Sequence, residues 1–331
     1  MRAFAFDAYK QPLHEVDVPE PTFGDHDVLI EVAAAGLNHL DAKIREGEFT
    51  LILPYKAPLV LGHDVAGTVI EVGGSVRSLK PGDEVFARPR DPRIGTFAER
   101  IAVDEADVSL APTTISTVEA ASLPLVALTA WQALVERGNV GPGQKVLIHA
   151  GAGGVGTIAI QLAKHLGAHV ATTASSANSD FVRDLGADVV IDYRTQDFEE
   201  ELTGYDLVLD SLGGENVAKS LRVLRPGGLA IGIQGPPTPA FAKAAGLNPV
   251  LRLAIAGLSR TVRARAKKLG VSYEFLFMRA DGGQLAEIAA LVDAGVIRPV
   301  VGATHPFAET ATALDALGKS PLRGKAVVTL P

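Results

Sequence analysis

Gly151, Gly153 and Gly156 stand in a G-x-G-x-x-G arrangement between an apolar run, Val146 to His149, and a segment, Ile158 to Leu166, whose apolar residues recur at helical spacing. Strand, tight turn and helix in that order make a place for a pyrophosphate. Glycines accept positive φ angles and let backbone N–H groups come close to phosphate oxygens, which then lie at the positive end of the helix dipole. The spacing alone is weak evidence. The strand before it and the helix after it turn it into a dinucleotide-site expectation carried by Gly151, Gly153, Gly154, Val155 and Gly156.

The next strand ends HVATTASSAN. A site selective for an unphosphorylated ribose places an Asp or Glu about 20 residues after the first glycine. No acid is there; Ser175 and Ser176 follow instead and offer hydroxyl donors. NADP is therefore favoured over NAD, with Arg183 or Arg194 as sources of positive charge. Methyltransferases that bind S-adenosylmethionine also use such glycine turns. They usually carry the same ribose-binding acid, so its absence weakens that alternative without removing it.

The 331 residues contain no Cys, which excludes disulfides, cysteine-ligated zinc and a cysteine nucleophile. Eight His are scattered, and only His165 and His169 have the four-residue spacing of a helical ligand pair. Gly167 between them ends the helix, so no shared face is expected. No G-x-S-x-G elbow is present for a serine hydrolase. A net charge of −7 argues against nucleic acid or an anionic membrane as partner. The start, MRAFAFDAYK, alternates like a strand and has no apolar core of a signal peptide, and the expectation is a cytoplasmic protein. The most apolar segment, Ala120 to Leu134, is broken by Pro124 and is too short for a bilayer of about 30 Å.

The elements that hold these residues divide by period. Residues 1 to about 110 read as β-rich: Arg2–Phe6, Val28–Ala34, Val65–Val72, Glu84–Ala87 and Thr96–Val103, separated by Gly and Pro turns. From Ser116 to Gly138 the period is helical and Pro124 splits it. Strands and helices then alternate, with strands at Val146–Ala150, His169–Thr173, Val189–Tyr193, Leu207–Leu212, Leu229–Ile233 and Phe275–Met278, which predicts a doubly wound parallel sheet. Residues 236–272 read as loop plus helix. Helices follow at Gly283–Ala294 and Ala308–Leu317, and a terminal strand, Ala326–Leu330, is expected to rejoin the first domain. The fold class is α/β, a Rossmann domain (125–272) beside a β-rich domain formed by 1–124 and 273–331.

Taken as an ordered set, GDHDVLIEVAAAGLNHLDAKIREG, VLGHDVAGTVIEVGGSVRSLKPGDEVFA, TFAERIAV, AGAGGVGTIAIQLAK, LGADVVIDYR, VLDSLGG and terminal GKAVV resemble the medium-chain dehydrogenase/reductase superfamily, specifically its zinc-free quinone oxidoreductase branch. The resemblance runs from Met1 to Leu330 and makes the β-rich domain GroES-like and catalytic. Relatives with catalytic zinc have Cys where this chain has Asn38 and a third ligand near Leu125, so only His63 matches. By resemblance, Asn38 and Asp41 belong to the active-site cleft, Thr129 approaches the cofactor, Tyr193 sits near the adenosine phosphates, and Gly232, Ile233 and Phe277 line the nicotinamide pocket. Each has a plainer role open to it: Asp41 as a helix cap, Thr129 bonded to its own helix, the apolar ones as core.

Reduction of an isolated carbonyl concentrates negative charge on one oxygen, where a Lewis acid supplies several kcal/mol. A quinone or an α,β-unsaturated carbonyl spreads that charge, so hydrogen bonds from Asn38, Tyr55 or a backbone N–H suffice. The expectation is an NADPH-dependent, zinc-independent quinone or enone reductase, a homodimer by resemblance. An NADPH-binding structural or regulatory protein is the alternative, and a zinc-independent reductase of simple aldehydes or ketones a lesser one.

Overall fold

A computed structural model describes residues 1–53 and 55–331. The chain forms two compact units, the first from Met1–Leu128 and Arg279–Pro331, the second from Thr129–Met278. In chain order the strands are β1 (Arg2–Phe6), β2 (His14–Asp17), β3 (Asp27–Gly36), β4 (Leu59–Val60), β5 (Val65–Val72), β6 (Glu84–Ala87), β7 (Arg100–Asp104), β8 (Val108–Leu110), β9 (Lys145–Ile148), β10 (His169–Ala174), β11 (Val189–Asp192), β12 (Tyr205–Asp210), β13 (Leu224–Gly232), β14 (Ser272–Phe275), β15 (Val301–Pro306) and β16 (Lys325–Thr329). The α-helices are α1 (His39–Arg45), α2 (Thr117–Ala121), α3 (Pro124–Trp131), α4 (Gly154–His165), α5 (Ser179–Asp184), α6 (Phe198–Glu201), α7 (Glu215–Val223), α8 (Pro239–Ala244), α9 (Pro249–Leu258), α10 (Arg260–Leu269), α11 (Gly282–Asp293) and α12 (Thr310–Ala316).

The first unit is organised on β3. Val28, Ile30 and Val32 are buried while Glu31 and Ala33 face out, the period of a half-covered strand. It pairs antiparallel with β5, β7 and β16, in a sheet ordered β15-β16-β3-β5-β6-β8. At Gly67 the two backbones approach so closely that a Cβ would lie 2.0 Å from the Glu31 carbonyl oxygen. The terminal strand does rejoin this unit: Val327 stands opposite Gly36 and Val328 opposite Ala35, and both valines are fully buried. The stretch from Thr96 is not one strand. Residues 96–99 cross to β1, where Ala98 bridges Ala3, and the ladder to β3 begins only at Arg100. β2, β4 and β8, of four, two and three residues, are too short for a period to register.

In the second unit six parallel strands lie in the order β11-β10-β9-β12-β13-β14. Numbered within the unit this is 3-2-1-4-5-6, with the topological switch between β9 and β12. The last strand sits three residues earlier than its sequence expectation, at Ser272–Phe275. Residues 236–272 are not loop plus helix but hold α8, α9 and α10. Thr238 and Asn248 cap the first two, each followed by Pro at the opening helical position, a start signal that the reading of this stretch as loop overlooked.

A buried polar chain crosses the sheet at the switch. The Ala150 N–H donates to Thr173 Oγ1 at 3.1 Å, Thr173 Oγ1 lies 3.1 Å from His149 Nδ1, His149 Nε2 lies 3.1 Å from Ser220 Oγ, and the Ser220 hydroxyl donates to Asp210 Oδ2 at 2.9 Å. These directions agree with one another when the imidazole is neutral and protonated on Nε2. Burial drives the His149 pKa down to about 4, with the Asp210 charge opposing. The unfolded imidazole titrates near 6.5, so below that pH the unfolded state binds a proton that the folded state refuses. The contribution is whole above about pH 6.5 and is lost as pH falls towards 4. Melting temperatures across this window should drop for the native chain, and His149→Gln should flatten that limb of the profile; an unchanged slope would show that His149 titrates freely in the fold.

Candidate functional site

The glycine turn lies at the carboxyl end of β9, at the same edge of the parallel sheet as the ends of β10 and β11. After β9 the backbone turns through Ala150, at a φ of 53° that a non-glycine residue rarely takes, and the bond from its N–H to Thr173 Oγ1 secures it. A Cβ on Gly151 would lie 2.2 Å from Thr172 Oγ1, and one on Gly156 would lie 2.3 Å from the Ala150 carbonyl oxygen. Both glycines are required by the protein's own packing. Gly153 differs: its φ is −81°, and a Cβ there would meet only the Ala150 oxygen at 3.3 Å. The crowding at Gly153 is milder, since that oxygen would have to give by only a few tenths of an ångström. The N–H groups of Gly154, Val155 and Gly156 open the twelve-residue α4, where a helix leaves donors without internal partners.

On the neighbouring strand β10 ends at Ala174, opposite Asp192 of β11. Ser175 is buried and Ser176 exposed. Tyr193 follows β11 directly, 58% exposed, with the Arg194 guanidinium 5.8 Å above its ring. Arg183 points elsewhere, to the Asp188 carbonyl at 3.5 Å. Two hydroxyls, a phenol and one guanidinium therefore stand at adjacent strand ends. Gly232 closes β13, and a Cβ on it would lie 2.9 Å from the Tyr273 hydroxyl oxygen. Ile233 donates its N–H to the Asp210 carbonyl at 2.9 Å, and Phe277 packs 6.1 Å from Phe241. Thr129 is buried in α3.

In the first unit the expected polar residues form a closed cluster. The Lys325 ammonium donates to the Leu37 carbonyl at 2.7 Å, to Asn38 Oδ1, and to Asp64 Oδ2 at 3.1 Å. Asn38 spends both amide hydrogens, on Asp64 Oδ2 at 2.9 Å and on the Gly36 carbonyl at 3.3 Å. Asp64 Oδ1 accepts the Leu125 N–H at 2.7 Å. Asp41 plays two parts: Oδ2 caps α1 through the Asn38 N–H at 2.9 Å, and Oδ1 takes His63 Nδ1 at 2.6 Å. His63 is fully buried, and its Nε2 has no partner. Tyr55 donates its hydroxyl to the Asp91 carbonyl at 2.6 Å, and burial raises its pKa far above the phenol range, which makes it a poor acid. Asn38, Asp41 and Tyr55 thus hold backbone, and none has a free donor in this arrangement. Sequence reasoning passed over Lys325 and Asp64. The signal was a Lys opening the apolar run KAVV, a charge that an interior strand must pair.

No group of three or more His, Asp or Glu among the described residues is placed to hold a metal ion. His165 ends α4 and His169 opens β10, with Gly167 at a φ of +83° between them.

Gly153→Ala should leave the melting temperature nearly unchanged and weaken NADPH binding at least about tenfold, whereas Gly156→Ala should also lose about 1–3 kcal/mol of stability through overpacking. Calorimetry and fluorescence titration separate the two effects. Lys325→Met leaves the Asp64 carboxylate buried without its cation and should cost about 3–5 kcal/mol in urea unfolding. Adding Asp64→Asn should recover much of that loss.

Residues 24–113 match the alcohol dehydrogenase GroES-like domain family, and residues 185–328 the zinc-binding dehydrogenase family. The chain is 36% identical over 326 residues to the mitochondrial NAD(P)H oxidoreductase RTN4IP1 of Danio rerio, covering 92% of this chain and 84% of the relative. It is 34% identical over 324 residues to the chloroplastic NADPH-dependent alkenal/one oxidoreductase of Arabidopsis thaliana, covering 95% and 75%. The quinone oxidoreductase from Coxiella burnetii superimposes with a TM-score of 0.87 at 32% identity, covering 100% of this chain and 99% of the other. The cytoplasmic expectation does not stand against these findings, because the Danio rerio relative and its counterparts from Mus musculus, Bos taurus and Homo sapiens are mitochondrial. A strand-like start reports β1 and carries no information about compartment. With both halves of the fold, the glycine turn and near full-length relatives in agreement, the chain is an oxidoreductase of the medium-chain dehydrogenase/reductase superfamily, in its quinone oxidoreductase-like branch.

Proposed function

We propose that this oxidoreductase uses NADPH to reduce a quinone or an α,β-unsaturated carbonyl and does so without zinc, as a homodimer. The observation that carries the reading is the set of donors at the ends of β10 and β11: Ser175, Ser176, Tyr193 and Arg194, with no carboxylate at the end of β10 to repel a 2′-phosphate. The Arabidopsis thaliana relative, whose name specifies NADPH and an alkenal/one acceptor, supports it.

The bound cofactor would supply a hydride. The chain's own work is to seat the pyrophosphate on the N–H groups of Gly154 to Gly156, to set the adenosine phosphate against Arg194, and to hold the acceptor in place. The residues of the first unit do not suit a zinc ion. Asn38 stands where zinc relatives have Cys, and its carbonyl and Asp64 are already bonded to the Lys325 ammonium. Without a Lewis acid, an acceptor that spreads charge over a conjugated system is the one that positioning and ordinary hydrogen bonds can serve. Asn38 and Asp41 act by fixing the start of α1, and a substrate hydrogen bond from Tyr55 requires it to release the Asp91 carbonyl.

Arg194→Ala should raise the Kd for NADPH by about tenfold to a hundredfold, the worth of one charge-assisted hydrogen bond, while NADH binding stays within about twofold. Equal losses for both cofactors would remove Arg194 from the phosphate site. In an acceptor screen, NADPH oxidation should appear with quinones or short enones and persist in chelator. Chelator-sensitive reduction of simple aldehydes would overturn the proposal, and tight NADPH binding with no turnover on any acceptor would favour a regulatory protein.

A further inference from the structure

The chain has no Asp or Glu between Asn216 and Tyr273, and residues 236–271 carry seven cations, five of them in the nine residues Arg260–Lys268. Against a net charge of −7 for the whole chain, this segment is +7 and everything else −14. All five α10 cations are exposed. The first acid beyond them, Glu274, is paired with Arg137 at 3.3 Å, and Arg263 turns back to the Ala256 carbonyl at 3.0 Å.

Helix α9, which leads into α10, exposes apolar side chains. Val250 is 76%, Leu253 75% and Leu258 67% exposed. With Ala254 and Gly257 they fall at i, i+3, i+4, i+7 and i+8, a single face. The opposite face holds the segment to its unit through Ile255, Ser259, Val262 and Ala266, all buried. The helical hydrogen bonds run through the junction, from the Ser259 N–H to the Ile255 carbonyl at 3.1 Å and from the Arg263 N–H to the Ser259 carbonyl at 3.0 Å. No helix among the described residues is long and apolar enough to cross a membrane. An apolar face beside a dense, uncompensated cationic one is the pattern of a helix that lies in a bilayer surface.

We propose that α9 and α10 dock on an anionic phospholipid bilayer, with Val250, Leu253 and Leu258 entering the boundary between headgroups and acyl chains and the α10 cations resting on lipid phosphates. Charge complementarity selects this occupant. A second copy meeting this face about a twofold axis would bring two +7 segments together. The whole-chain charge conceals the site because it averages a basic segment with an acidic remainder. Docking of this kind stands independently of the NADPH reading, and its test needs no turnover.

The full chain should co-sediment with vesicles of phosphatidylcholine and phosphatidylglycerol and not with phosphatidylcholine alone. Binding should be released near 1 M salt, where the Debye length falls to about 3 Å. Arg265→Gln with Lys268→Gln should weaken it by about fivefold for each charge removed. Leu253→Ser with Leu258→Ser should weaken it at least about tenfold with an unchanged melting temperature, since both side chains are exposed. Equal binding to the two vesicle types, or none, overturns the proposal. Anionic-vesicle binding that ignores the leucine changes reduces the face to a charged surface open to an acidic protein and overturns docking into the bilayer. A change of oligomeric state in the leucine variant, read by light scattering with no vesicle binding, assigns the face to a second copy.

Discussion

An ammonium taken out of water must be met by oxygens, and in the first unit that requirement ties together segments far apart in the chain. Lys325 comes from the C-terminal strand, Leu37 and Asn38 from the entry to α1, and Asp64 from the loop before β5. Asp64 in turn holds the first turn of α3 through the Leu125 N–H. Removing either charged partner, Lys325 or Asp64, would leave the other buried and unpaired, so the cluster is held as a whole. Asn38 and Asp64 are thereby engaged with one another, with the ammonium and with backbone, while His63 meets only the Asp41 side chain.

The second unit answers a different constraint. A parallel sheet delivers every strand's carboxyl end to one edge, and its switch point gathers unpaired backbone donors there. The polar chain from Ala150 through Thr173, His149 and Ser220 to Asp210 locks that edge. It ends on the Leu212 and Gly213 N–H groups, at 2.9 and 2.8 Å from Asp210 Oδ1. The turns after β9 and β12 are thereby set before any ligand arrives. Such preorganisation is how a protein binds phosphate without an ordering cost at the moment of binding.

Gly151, Gly153 and Gly156 show how similar residues in one motif serve different ends. Two make room for the protein itself, and at the third the crowding is milder. The same division separates Tyr193 and Arg194, exposed at a strand end, from Gly232, which is closed over by Tyr273.

The sequence by itself determined the parallel sheet, the glycine turn, the missing acid after β10 and the return of the last strand, because each depends on local periodicity or on residue type. It did not determine what Asn38, Asp41 and Tyr55 touch. Their partners, Lys325, His63 and Asp91, lie 287, 22 and 36 residues away, and only the folded backbone brings them together. The cation content of residues 260–268 was visible in the sequence, but the exposure of α9 beside it was not, since that is decided by how α9 packs on α8 while α10 packs on α7 and β14. Local chemistry is written in the order of residues, whereas the satisfaction of a buried charge or donor is a property of the tertiary fold.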